Sequence, residues 1–196
     1  MPRSLCLLAF LLMLPDPAAA HITGAASGFG AGFLHPLLGA DHLVAMVAVG
    51  LWGAQLGSPA LWVLPVAFPL VMAVGGLIGI GGAAIPYPEQ MIALSGLALG
   101  LMVAFRVRMA FRAAAILVAL FALFHGYSHG REMPQAADAA SFAIGFVIAT
   151  GLLHLLGISI GAADRSRAGQ RAIQGLGVAI AAVGSFFVIS TFSAAG

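Results

Sequence analysis

From residue 28 onward, apolar residues dominate the chain in six blocks, and most polar positions fall between them. The blocks run over residues 28–56, 60–84, 89–105, 112–128, 138–161 and 172–193. A spanning helix needs about 20 apolar residues, so the blocks use nearly all of the chain. Alternation of polar and apolar positions is absent, which argues against an outer-membrane barrel. In lipid, backbone polar groups must be satisfied within the segment, so the blocks predict six transmembrane helices. Their short connections predict antiparallel packing between neighbours. The turn between the second and third blocks carries Pro86-Tyr87-Pro88. The first block is longer than a simple span and contains Pro36, which predicts a break near that residue. Glycines recur four apart at Gly24, Gly28 and Gly32, at Gly75 and Gly79, at Gly96 and Gly100, and at Gly157 and Gly161. Small residues at that interval let helix backbones approach closely in lipid.

Composition excludes several classes of protein. Of 196 residues, 62% are hydrophobic and only 7% are charged. A soluble domain carries roughly 25% charged residues. A soluble enzyme, a disordered chain and a nucleic-acid binder are therefore excluded. The single cysteine, Cys6, supports neither an intrachain disulfide nor a thiolate metal site. Arg3, the apolar run 4–14, the breakers Pro15 and Pro17, and Ala18-Ala19-Ala20 read as a secretory signal peptide over residues 1–20. Cleavage after Ala20 removes Cys6 and leaves His21 first, where a deprotonated α-amine and an imidazole can chelate a divalent metal. Residues 21–196 then form one all-α polytopic membrane domain.

The arginines orient it. Arg106, Arg108 and Arg112 lie between the third and fourth blocks, and Arg165, Arg167 and Arg171 between the fifth and sixth. Arginine excess marks cytoplasmic loops, so both termini fall outside, as signal cleavage requires. Only Arg131 opposes the pattern, and Glu132 stands beside it.

Against this apolar background a few polar residues stand out. Asp41 lies inside the first block, between His35 and His42. A carboxylate inside a membrane costs several kcal/mol on insertion scales, about 3, so it must face the protein and find a partner. His35 and His42 are seven residues apart, about two turns, and share a helix face. Asp41 either reaches the same centre from the side or orients His42 as a hydrogen-bond acceptor. His125 and His129 are four apart near the end of the fourth block, with Glu132 three further on. His154 lies within the fifth block, four residues after Thr150. Met46 is a further candidate, although a methionine on an apolar helix more often fills space. Imidazole and carboxylate without thiolate suit Ni, Co, Zn, Fe or Mn better than Cu(I). Gly79-x-Gly81-Gly82 lacks the strand and the lysine of a nucleotide loop, so nothing points to ATP.

Three motifs carry a family resemblance. They are His35-Pro36-x-x-Gly39-x-Asp41-His42-Leu43-x-Ala45-Met46-x-x-Val49-Gly50, Phe124-His125-Gly126-x-x-His129-Gly130-x-Glu132, and Ala149-Thr150-Gly151-x-x-His154. With them the chain resembles the HupE/UreJ family of bacterial nickel permeases over nearly its whole length. The resemblance implies a cytoplasmic-membrane protein that takes up Ni²⁺, with Co²⁺ as the alternative, for metalloenzymes such as hydrogenase or urease. It carries His35, Asp41, His42, His125, His129 and Glu132 over as metal-handling positions, and His154 and His21 less firmly. The expected partners are the divalent ion and membrane lipid, with no resident cofactor and no nucleic acid. A homo-oligomer and cytoplasmic metallochaperones are compatible with this reading. Two other classes are less compatible with these residues. An intramembrane enzyme lacks a named nucleophile, since Ser95 and Ser128 stand in no recognisable motif. A metal sensor or accessory subunit would bind without net flux.

Overall fold

The computed structural model describes residues 28–132 and 139–193. Among these residues the chain is helical throughout, without strands. The helices are α1 (Phe29–Leu38), α2 (Ala40–Leu56), α3 (Ala60–Ile80), α4 (Pro88–Ala104), α5 (Phe111–Glu132), α6 (Ala139–Gly161) and α7 (Arg167–Ser193), with a 3₁₀ turn at Ala162–Arg165. The expected signal peptide over residues 1–20, Cys6 and His21 lie outside the described residues.

The chain is a multi-pass membrane protein. Four helices are long and apolar enough to cross a bilayer: α3, α5, α6 and α7. The pair α1–α2 makes a fifth candidate if it counts as one broken span. The remaining helix, α4, has 17 residues and is shorter than an ordinary span.

The break in the first block falls at Gly39 rather than Pro36. Pro36 sits inside α1, while Gly39 adopts an extended conformation and the two helices meet at 81°. Asp41 consequently stands in the first turn of α2 and not in the middle of a helix. An acid there is favoured by the partial positive charge of the helix N-terminus.

The residues of α2 from Val44 to Gly53 are all buried, because α3, α4, α6 and α7 surround the helix. Met46 is fully buried in this apolar core.

The tightest helix pairs are not the ones that short connections predict. Neighbours such as α2–α3 and α4–α5 do touch, but α3 packs most closely on α5 and α4 on α7. Gly75 and Gly79 of α3 lie against the backbone of Leu123 and Tyr127, and Gly126 and Gly130 of α5 against that of Met72 and Gly76. Residue numbers rise together across this contact, so α3 and α5 run parallel. Across α4–α7 they run opposite, with Gly96 beside Gly184 and Ala104 beside Gly177. Small residues select the partners here, since backbone approach is the main attraction between helices in lipid.

At one end of the bundle the two arginine-bearing connections meet. Arg106 forms a two-pronged ion pair with Asp164, which shows both connections at the same end. The hydrogen bond to Asp164 holds the Arg106 guanidinium above its ordinary pKa. Nearby, Trp52 donates to the Val107 carbonyl, Gln55 to Val103 and Gln174 to Ala104, so side chains of α2 and α7 cap the end of α4.

Candidate metal site

The opposite end of the bundle holds the histidines. On α5, His125 and His129 share one face, while Gly126 and Gly130 occupy the adjoining face against α3. The helix continues to Glu132, so all three candidate residues of this segment lie on one regular element. The sharp bend at Gly39 turns α1 back, and this brings His35 and His42 to the α5 pair.

The four imidazoles form one cluster. Ring centres are 4.7 Å apart for His35–His129, 4.6 Å for His42–His129, 5.1 Å for His42–His125 and 6.0 Å for His35–His42. One ligand atom each of His35, His129 and Glu132 lies within 4.8 Å of the other two. That spacing lets a single ion with bonds of about 2 Å bridge them after small rotamer shifts.

Hydrogen bonds settle the orientation of two of these rings. His42 Nδ1 lies 2.8 Å from Asp41 Oδ1, which also accepts the His42 backbone N–H at 2.9 Å. His125 Nδ1 lies 2.9 Å from the Phe121 carbonyl. Carboxylate and carbonyl oxygens only accept, so Nδ1 carries the proton in both rings. In the neutral ring each Nε2 presents a lone pair, and both are buried without a hydrogen-bond partner. His129 is also buried, with neither ring nitrogen paired. Buried nitrogens left without a protein partner call for one from outside the chain, a water or an ion. A ligating histidine whose second nitrogen meets a carboxylate or carbonyl is the usual metal-site arrangement. Of the two roles open to Asp41, these bonds support the orienting one.

The cluster is graded in polarity. Glu132 is exposed, His35 half-buried, and His42, His125 and His129 are buried. Glu89, an exposed residue at the start of α4, joins this mouth: Ser128, between the two α5 histidines, donates to its carboxylate at 2.6 Å. Tyr127 fixes the loop that leads there, donating to the Ala83 carbonyl and accepting from the Ile85 N–H. Glu89 was not a candidate in the sequence. A lone acid opening an apolar block is the signal that could have found it.

His154 does not join the cluster. The ring of Phe68, fully buried on α3, stands between, 5.5 Å from His125 and 5.4 Å from His154. His154 Nδ1 instead meets the Pro65 carbonyl at 3.1 Å. That carbonyl is available because Pro69, four residues on, has no N–H to offer it.

Comparison with known proteins places the whole chain. The family model for HupE / UreJ protein matches residues 8–187. Protein HupE of Rhizobium leguminosarum bv. viciae is 45% identical over 178 residues, covering 91% of this chain and 93% of that protein. No solved structure matches the chain. The match runs along almost the full length, and the chain belongs to the HupE/UreJ family.

Proposed function

We propose that this protein carries Ni²⁺, with Co²⁺ as the alternative cargo, inward across the bacterial cytoplasmic membrane, and so supplies the maturation of metalloenzymes such as hydrogenase or urease. Its family is one of metal permeases and not of enzymes. The observation that carries the reading is the convergence of His42, His125 and His129, buried and with unpaired ring nitrogens, beneath a mouth bearing Glu89 and Glu132.

In this reading the bent pair α1–α2 and the short α4 complete six spans. The arginine-bearing end faces the cytoplasm, and the mouth and both termini face outward. The mature chain begins at His21 after loss of the signal peptide. A hydrated ion is drawn in by the two glutamates. It exchanges water for imidazole at His35 and His129 and for carboxylate at Glu132, and then reaches the Nε2 atoms of His42 and His125. An inside-negative potential drives entry: a divalent ion gains about 4.6 kcal/mol per 100 mV. Binding must still be weak enough to release inward.

The test is Ni²⁺ influx into sealed vesicles holding the purified protein under an inside-negative potential. Accumulation is expected, and His42→Ala should abolish it at unchanged protein content. Stoichiometric binding without accumulation would replace the permease with a metal sensor or accessory subunit. Parallel runs with Co²⁺, Zn²⁺ and Fe²⁺ rank the cargoes.

A further inference from the structure

Beyond Phe68 the buried polar chemistry continues. Phe146, Thr150 and His154 follow one another at four-residue steps on α6, and all three are buried. Phe146 belongs to the level of the cluster, with its ring 4.6 Å from His129 and 5.9 Å from His35. Each step advances about 6 Å along the helix, so Thr150 and His154 lie roughly 6 and 12 Å deeper.

Both residues hold an unpaired polar atom. Thr150 is fully buried, and its hydroxyl has no partner. Helix hydroxyls elsewhere in this chain bond back to a carbonyl one turn earlier: Ser95 to Ile92, Ser159 to Leu155, Ser185 to Ala181 and Thr191 to Phe187. Thr150 does not use that ordinary solution. His154 is 1% exposed, and its Nδ1–H is committed to the Pro65 carbonyl. Its Nε2 is therefore a bare acceptor with no donor beside it. Packing alone explains neither atom, since a buried acceptor without a donor destabilises the fold.

We propose that Thr150 Oγ1 and His154 Nε2 form a second, deeper station for the divalent cation, separated from the histidine cluster by the Phe68 ring. The proposal rests on the transport reading above. The station offers one neutral imidazole and one hydroxyl and no carboxylate. An ion there is held more weakly than in the cluster, where Glu132 offers a carboxylate and Asp41 stands behind His42. A weak station on the inward side is what release requires. Passage between the stations needs the Phe68 ring to move aside.

The test uses the full chain, purified in detergent, with Co²⁺ as the probe in equilibrium dialysis and initial-rate Co²⁺ uptake in sealed vesicles. The unaltered protein should bind two ions per chain, the second about 100-fold more weakly. Thr150→Val preserves shape, and His154→Gln keeps a donor for the Pro65 carbonyl. Each variant should retain the tight ion, which also reports correct folding, and lose the weak one. Uptake should fall at least tenfold while half-saturation stays within twofold. A weak ion that persists in both variants, or uptake at the unaltered rate, overturns the deeper station alone. An unaltered protein that binds neither Co²⁺ nor Ni²⁺ overturns the transport reading together with it.

Discussion

Asp41 is the residue whose replacement tests the site most directly. It meets the cluster at His42, by the 2.8 Å contact between Oδ1 and Nδ1. Asp41→Ala removes the acceptor that fixes the proton on Nδ1, and with it the negative charge behind the ring. Adding the 2.8 Å hydrogen bond, the ring and a metal–nitrogen bond of about 2 Å puts an ion on Nε2 roughly 7 Å from the carboxylate oxygen. At an effective dielectric constant of 20, the attraction between charges of −1 and +2 at that distance is about 5 kcal/mol, an upper bound on the loss. Removing a carboxylate that orients a metal-bound histidine typically weakens binding about 10- to 100-fold, or about 1.4 to 2.8 kcal/mol. Asp41→Ala should therefore raise the dissociation constant for Co²⁺ or Ni²⁺ at least tenfold, measured by calorimetric titration of the purified protein. Asp41→Asn keeps an oxygen acceptor without the charge, and its place between the two proteins divides orientation from electrostatics. Affinity within twofold of the unaltered protein in Asp41→Ala would refute the coupling of Asp41 to metal through His42.

Two further outcomes concern the scaffold. A β-carbon at position 126 would run into the Met72 carbonyl of α3, and a backbone atom cannot swing away, so Gly126→Ala should destabilise by about 1–3 kcal/mol. A matched control is Gly151→Ala, where nothing lies within 4 Å; its thermal midpoint in detergent should hold or rise, because Ala favours a helix interior over Gly by about 1 kcal/mol, and equal midpoints for both variants would contradict the α3–α5 contact. At the other end, Arg106→Ala or Asp164→Ala should each cost about 0.2–1 kcal/mol, because both partners are still partly exposed. The exchange of Arg106→Asp with Asp164→Arg should recover most of that loss at low salt, and a double variant no better than the singles would show that charge is not what joins the two connections.

Element existence was legible along the chain, because lipid leaves the backbone few choices. Apolar blocks at 60–84, 89–105, 138–161 and 172–193 became α3, α4, α6 and α7 with shifts of a few residues at their ends. The histidines of α5 were legible as a pair for the same reason, since a four-residue spacing on a helix leaves one geometry. Partner choice was not legible. Chain order suggested neighbours, whereas close approach at Gly75, Gly79, Gly126 and Gly130 joined α3 to α5 in parallel. That depends on which small-residue faces match in three dimensions, and no single segment contains the information.

The site divides along the same line. Sequence by itself determined that imidazoles and a carboxylate had to face the protein interior, because exposing them to lipid is too costly. It also determined the shared face of His125 with His129; the face expected to join His35 and His42 does not exist, because they lie on two helices that meet at 81°. Only the tertiary structure decided that Gly39, and not Pro36, bends the first block, and that the bend carries two of these residues onto the other pair. It likewise decided that Asp41 serves His42, that Glu89 meets Ser128, and that Phe68 stands between His154 and the rest. Local periodicity fixes the face a side chain occupies. What that face meets depends on how rigid helices pack, through contacts between residues far apart in the chain.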